Sequence, residues 1–585
     1  MLALVLIFGT AAWGASVNDI DAAVDASRDE QVSTTQDFLK IPAYNQITDT
    51  YSGPYPVAGV EESLKFILDK ATEMGLKTVL HDCQGVQNAR GPLYGYAEYG
   101  PANAPEMIMS LAHVDTVPPG NSALWTMGGP FEGKIADRNG EKHIIGRGAF
   151  DDKGPAMASL YALKAIKESG ITLDRRIRVF FGTTEDYGGW QCVGAYGANA
   201  AAGKEEWPVL GFSPDSGTFR PTYIEKTSVN VMASNDIDPD GARVKLTYLY
   251  GGTATNAVSD NCKATLEGSS TDLTVIRAAL VNAIAEKGWD MTDLPIVISN
   301  GSDGKLTIDV TGRAAHSGWA WTGIGANNRM MYLLSKVTFG DDWQVIAQKI
   351  TELLPPDENE SSMGVALGIH EGSAEEYDNV SVNMGWARLE EDYNGTGKPA
   401  IYIHVNIRYA GTGADDIFPE VSHQSGQVIR DKVDAKFEAA GLKRVMSGGG
   451  VPYTVPANSE IMVKLLQAYK DITGVSVKPC IVPGGTYAAA WAGSTLNPDT
   501  EETFGTRMVS WGIDGGIGMH EANESMSVEK LIEGTKIMAR AMVYLATDST
   551  GSSETDSGGG GCSVAGWSFL VLAAGCAALY KYRKR

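Results

Sequence analysis

The 585-residue sequence predicts an α/β fold carrying an inserted α+β domain. Three observations lead there. Short apolar runs alternate with helix-periodic ones, a pattern that builds sheets covered by helices. Polar and acidic residues gather where those runs finish, which is where open α/β sheets bind ligands. From about residue 227 to about residue 441 the texture changes to segments that alternate apolar and polar residues, as in an antiparallel sheet with helices. Length agrees: at roughly 150 residues per domain, 585 residues are too many for one core.

Taken in order, residues 1–15 read as an apolar, signal-like leader with small residues near Gly14 and Ala15. Residues 16–226 form the first part of the first domain. Within it residues 107–112, 176–182 and 209–212 are apolar strand candidates, ending at or just before His113, Glu185 and Asp215. Residues 155–169 predict a helix: Pro155 suits the first turn, Met157, Leu160, Leu163 and Ile166 recur at helical spacing, and Gly170 suits the stop. Residues 227–441 form the insert, with alternation clearest at 305–310 and 401–408. Residues 442–548 complete the first domain with helices over 459–472 and 528–545. A Gly/Ser-rich linker follows at 549–561, then a tail at 562–585. The tail holds Cys562, an uncharged stretch long enough to cross a bilayer, and a basic end at Lys581, Arg583, Lys584 and Arg585. This arrangement resembles the tripartite C-terminal sorting tags of bacterial surface proteins. The expectation is a secreted or cell-surface, extracytoplasmic chain with a signal peptide, anchored by a transmembrane segment unless the tail is cleaved.

Composition narrows the chemistry. With 43% hydrophobic and 8% aromatic residues the chain is not wholly disordered. Against 71 Asp+Glu stand 48 Lys+Arg, a net charge of -23, which excludes the basic footprint of a nucleic-acid binder. Six cysteines with no CxxC pair leave metal binding to histidine and carboxylate.

Five loops offer such ligands. His113 and Asp115 share one side of an extended segment, so His113 can bind a cation while Asp115 holds its other ring nitrogen. Asp151 and Asp152 sit in a Gly-bracketed turn before the predicted helix. Glu185 and Asp186 follow a strand, Asp215 follows another, and His520 comes late, near Asn523 and Glu524. Each piece alone is weak, since a lone histidine or an acidic pair is usually a solvated surface feature. Together they form a mixed His/carboxylate set suited to zinc, manganese or cobalt.

The series Leu111-Ala-His113-Val-Asp115-Thr-Val-Pro, Gly146-Arg-Gly-Ala-Phe-Asp151-Asp-Lys-Gly-Pro155, Gly182-Thr-Thr-Glu185-Asp186, Pro214-Asp215 and His520-Glu-Ala-Asn-Glu524 resembles the zinc-dependent aminoacylase and carboxypeptidase-G (ArgE/DapE-like) metallopeptidase superfamily. Within it the resemblance is to PepV-type dipeptidases, from about residue 37 to about residue 546. It implies a mixed-sheet zinc-peptidase catalytic domain with an inserted α+β lid. It also implies two divalent metal ions bridged by Asp151, with His113 and Asp215 completing one site and Asp186 and His520 the other. Asp115 would orient His113, Glu185 would be the general base acting on a metal-bridging water, and the Asp151–Asp152 peptide would be cis. The family usually has Glu-Glu where this chain has Glu185-Asp186. In the lid, Asn256 and His316 would flank the scissile carbonyl, and Arg408 would grip the substrate carboxylate beside Gly485 and Thr486 of the 483–487 loop. Because the insert has the size of the PepV-type lid, the implied assembly is a monomer with His316 acting in cis. His81, His143, His370, His404 and His423 are read as structural. The expected activity is a dipeptidase for substrates with a free C-terminal carboxylate. An N-acyl-amino-acid amidohydrolase or carboxypeptidase is the alternative within the superfamily, and a non-catalytic surface metal-binding protein the alternative outside it.

Overall fold

Three neighbouring parallel strands place their carboxyl ends side by side, and the site grows from that edge. The computed structural model describes residues 16–44, 58–82, 92–186, 190–238, 241–289, 291–301, 304–356, 361–369, 380–411, 425–497 and 502–547. A six-stranded sheet runs in the order Lys77–Asp82, Pro92–Tyr99, Arg176–Gly182, Met107–His113, Leu210–Ser213, Met508–Ser510. The first two strands pair antiparallel, and so do the second and third, while the others are parallel. Every residue of Met107–His113 is buried, which explains why this strand reads as an apolar run rather than as an alternating one.

The helix Lys153–Ser169 lies against this sheet, buried along most of its length and packed beside the long helix Val528–Ala546. It ends as the sequence predicts, at Gly170 with φ 69°, the left-handed conformation that glycine adopts at no steric cost. It begins two residues before Pro155, which therefore sits inside the first turn, where no backbone N–H is missed. The other expected segments form close to their predicted bounds: Lys305–Thr311, Ala400–Tyr409, Glu460–Thr473 and Val528–Ala546.

An eight-stranded sheet, antiparallel throughout, runs Ile296–Asn300, Lys305–Thr311, Asn261–Glu267, Lys245–Gly251, Ser381–Glu390, Ala400–Tyr409, Thr227–Asp236, Lys443–Gly448. Its two halves meet at a short seam, where Tyr250 pairs with Arg388 and Gly251 with Ala387. Helices including Ser270–Lys287, Ala326–Ser335 and Asp341–Leu353 close a second apolar core over this sheet, around Trp343, Leu280 and Leu333. Two smaller sheets matter for function. One joins Gly516–Ile517, Ser525–Ser527, Glu141–Ile145 and Lys134–Arg138, which carries the loop of His520 to the turn of Asp151. The other joins Tyr453–Thr454, Thr222–Glu225 and Cys480–Val482, which delivers the 483–487 loop.

The transmembrane and secreted expectation for the two ends does not hold. Among the described residues no helix is long and apolar enough to cross a membrane. The two longest helices, Ser270–Lys287 and Val528–Ala546, are both interrupted by charge, the second at Glu529, Lys530, Glu533, Lys536 and Arg540. Residues 1–15 and 549–585, on which the signal-peptide and anchor expectations rested, lie outside the described residues, as do His370 and His423.

Candidate metal centre

Strand register assembles the ligands. His113 ends its strand opposite Gly182, so the next turn of the neighbouring strand, Thr183 to Asp186, rises beside it. Ser213 ends the third strand, and Asp215 follows two residues on. Asp151 arrives from the turn before the helix Lys153–Ser169, across a cis Asp151–Asp152 peptide, as the sequence resemblance implied. His520 has φ 63°, an uncommon conformation for a residue with a Cβ and one seen at functional turns.

Asp151 stands between the two histidines. Its Oδ1 lies 3.0 Å from His113 Nε2 and its Oδ2 lies 3.0 Å from His520 Nε2. Asp215 Oδ2 is 3.7 Å from His113 Nε2, and Asp186 Oδ1 is 3.0 Å from His520 Nε2. The ligand atoms of His113, Asp151 and Asp186 lie within 4.8 Å of one another, and so do those of His113, Glu185 and Asp215. Glu185 is thus closer to the ligand cluster than the base role requires, and Trp190 Nε1–H donates to its Oε1 at 3.2 Å. The other oxygen of Asp186 accepts from Val117 N at 3.0 Å, so the shorter aspartate is pinned with one oxygen aimed at His520.

The ring of His113 is oriented from below. Its Nδ1 lies 3.0 Å from the backbone oxygen of Asp115 and 3.5 Å from that residue's carboxylate. The carbonyl is therefore the nearer acceptor, while Asp115 Oδ1 accepts from Glu185 N at 3.2 Å. With Nδ1–H donating, the neutral ring presents a lone pair at Nε2, facing carboxylate oxygens. Lone pair against carboxylate is favourable only when a proton or a cation is shared between them. Two imidazoles and four or five carboxylates converging in this way fit a pair of divalent cations with nitrogen and oxygen ligands.

Electrostatics point the same way. Burial pulls both imidazoles down, yet carboxylate contacts outweigh it: His113 is held well above its usual value by Asp115 and Asp151, and His520 rises to about 10 beside Asp186 and Asp151. Burial pushes Asp215 up, as do the charges of Asp151 and Glu185; Asp186 rises by burial and Asp151. Glu185 is held well above the usual carboxylate range by burial, with Asp186, Asp151 and Asp115 adding to it. Asp151 alone moves down, because bonds from both histidines overcome its burial. A cluster so short of positive charge is a cation receptor.

The expected lid residues reach the same place. One cavity of about 290 Å³ is lined by Asp151, Glu185, Asn256, His316, Arg408 and the 484–486 turn, among others. The His316 and His520 ring centroids are 5.0 Å apart, within one chain. His316 Nδ1 accepts from Gly318 N at 3.2 Å, so its proton sits on Nε2 and that nitrogen is a donor. Burial, with His520 and Arg408 nearby, holds His316 well below its usual value and therefore neutral. Arg408 Nη1 is 3.4 Å from where a Cβ on Gly484 would stand, and its Nε–H donates to Asn406 Oδ1 at 2.9 Å. Of the remaining histidines, His81 stacks on Tyr94, His143 meets Ser525 and His404 packs beside Trp386, all outside the cavity.

Several side chains have roles at the site that the sequence did not assign to them. Glu524, fully buried, accepts from the amides of Gly148, Phe150 and Asp151 at 2.9–3.1 Å and pairs with buried Arg147, clamping the turn that carries Asp151. Asp152 Oδ2 accepts from His113 N at 3.0 Å. Trp190, Trp319 and Lys226 also line the cavity.

The sequence model of peptidase family M20/M25/M40 matches residues 109–544. "Putative dipeptidase YtjP" of Bacillus subtilis (strain 168) is 27% identical over 525 residues, 89% of this chain and 98% of that protein. A "Putative dipeptidase" of Staphylococcus epidermidis is 26% identical over 498 residues, 84% of this chain and 91% of its own length. Among solved structures, human carnosine dipeptidase 1 aligns with a TM-score of 0.53 at 15% identity, covering 91% of this chain and 98% of that one, which is a likeness of fold. The chain belongs to peptidase family M20/M25/M40 and is a hydrolase.

Proposed function

We propose that this member of the M20/M25/M40 peptidases hydrolyses dipeptides with a free C-terminal carboxylate, using two divalent cations. The carrying observation is that the two oxygens of Asp151 each face a buried imidazole at 3.0 Å, inside a cavity shared with His316 and Arg408. His113 and Asp215 would hold one cation, Asp186 and His520 the other, and Asp151 both. Zinc suits the donor set first, with manganese and cobalt as alternatives. Such a pair, when bound, would supply Lewis acidity toward a water and the peptide carbonyl.

The chain's own residues do the rest. Glu185, beside the ligands and steadied by Trp190, takes the proton of the attacking water and returns it to the leaving amine. His316, neutral and protonated on Nε2, donates to the carbonyl oxygen as negative charge builds there. Arg408 pairs with the substrate carboxylate, a task that suits the guanidinium fork. A volume of about 290 Å³ lies at the lower edge of the ~300–1,000 Å³ common for small-molecule sites, which favours two residues over a longer peptide. Since His316 belongs to the same chain as the ligands, one chain suffices, and a monomer by light scattering is expected.

The test is hydrolysis by protein reconstituted with zinc, manganese or cobalt, with and without chelator, across dipeptides, tripeptides and N-acetylated amino acids. Chelator-sensitive cleavage of dipeptides above the other two groups supports the proposal. Preference for N-acetylated amino acids would replace it with an amidohydrolase, and inertness toward every substrate with every metal would leave a binding protein.

A further inference from the structure

Behind the 484–486 turn that lines the cavity stands a buried carboxylate that the mechanism does not use. Glu225, at the end of the strand Thr222–Glu225, is 2% exposed and lies beneath the 484–486 turn. Its Oε2 accepts from Thr486 N and its Oε1 from Thr486 Oγ1, each at 2.9 Å. Both donors of Thr486 are thereby spent on Glu225, so Thr486 has none left for a substrate, although the sequence marks it as a binding residue. The neighbouring amides differ: among the described residues the N–H groups of Gly484 and Gly485 have no acceptor, and both residues line the cavity. Gly484 lies against Arg408 and His316, with Arg408 Nη1 3.4 Å and His316 Cε1 3.3 Å from the place of a Cβ.

We propose that Glu225 is a positioning residue: by gripping Thr486 through both of its donors it sets the turn so that the Gly484 and Gly485 amides face the substrate carboxylate beside Arg408. This rests on the reading that the cavity takes a free carboxylate. Two N–H groups beside a guanidinium form an anion receptor only if the turn is held rigid, and a bidentate grip on the next residue supplies that rigidity.

Charge adds a second consequence. A carboxylate so placed assists an anion receptor when it is neutral and opposes it when ionised. Burial raises Glu225 to about 8, against the opposing effect of its bonds from Thr486. Thr486 faces it from the turn and Tyr453 from the paired strand, while Lys226, next in the chain, lines the cavity that Glu225 does not reach. Tyr453 donates its hydroxyl proton to Met508 O and stays neutral, its phenol raised by burial and by Glu225. Affinity for a carboxylate ligand should therefore fall as pH rises through about 8, and this fall should belong to Glu225.

The experiment compares the full chain with its Glu225→Gln and Glu225→Ala variants, all metal-loaded. Binding of L-leucine and of L-leucinamide is titrated at about pH 7 and about pH 9, beside steady-state dipeptide hydrolysis. The wild-type protein should bind leucine in preference to the amide and lose about tenfold of that preference at the higher pH. Glu225→Gln, which keeps one acceptor for Thr486 N and carries no charge, should keep the preference at both values. Glu225→Ala should weaken leucine binding and raise KM by about tenfold while kcat stays within about threefold. Thr486→Val, which keeps the amide and removes the hydroxyl donor, should shift KM in the same direction and serves if Glu225→Ala does not fold. Wild-type pH dependence persisting in Glu225→Gln, or a fall in kcat at unchanged KM, overturns the inference. A protein that hydrolyses no dipeptide yet shows this pattern of leucine binding would refute the dipeptidase proposal and leave the role of Glu225 standing.

Discussion

Asp151, with one oxygen toward each histidine, defines two half-sites, and every neighbouring side chain can be placed by which half it serves. Glu185 serves the reaction rather than the cations in this account. Glu185→Gln should therefore cut kcat by about 10²–10⁴-fold with bound metal unchanged, checked by steady-state kinetics beside elemental analysis. Loss of metal in that variant would move Glu185 into the ligand set, which its closeness to His113 and Asp215 makes a real alternative. Arg408→Lys keeps the charge and loses the planar fork, so KM for dipeptides should rise about tenfold and the preference over C-terminally amidated dipeptides should shrink. The residues legible in the sequence were those in short recognisable motifs: His113, Glu185, Asp186 and Asp215 at or just after apolar strands, Asp151 in a Gly-bracketed turn and His520 in a late loop. Glu225, Glu524 and Asp152 were not legible in these roles, because each works by accepting backbone N–H groups. Such a partner leaves no mark on the pattern of side-chain types, and a buried acceptor looks in sequence like any acidic surface residue.

At the scale of elements, the site depends on loops brought close by sheets that are remote in sequence. The hairpin of Gly516–Ile517 and Ser525–Ser527 carries His520 because Ser525 pairs with Ile145, six residues before Asp151. The short helical turn after His316 approaches the 483–487 loop so closely that a Cβ on Gly318 would stand 2.2 Å from Pro483 Cβ and 2.5 Å from its carbonyl oxygen. Gly318→Ala must push these two segments apart and carry His316 with them. A displacement near 1 Å can cost about 10²-fold in rate, so kcat should fall by up to that factor while thermal unfolding changes little. Wild-type kcat in that variant would show that His316 is not held by this contact. The strands and the helix Lys153–Ser169 were legible because fully buried parallel strands read as short apolar runs and the helix carries both its start and stop signals. The course of the 516–527 hairpin was not, since strands of two and three residues give too little periodicity to read.

At the scale of the whole molecule, separate apolar cores support the two large sheets, and the cavity draws most of its carboxylates from loops of the first sheet and its His316 and Arg408 from the insert. Cations that bind only the folded chain must stabilise it, by about 2.7 kcal/mol at a hundredfold excess over Kd. Zinc should thus raise the melting temperature and chelator should lower it again, and a melt indifferent to both would show that the carboxylates hold no divalent ion. The alternation of apolar runs and acidic strand ends announced this architecture, whereas the membrane and export reading came from composition at the two ends and found no spanning helix among the described residues. Whether Asp151 joins two cation sites is tested by anomalous diffraction at the zinc edge from crystals of the zinc-loaded protein. Two peaks are expected, one beside His113 and Asp215, one beside His520 and Asp186, with a carboxylate oxygen of Asp151 reaching each. A single peak, or peaks that leave Asp151 untouched, would contradict it.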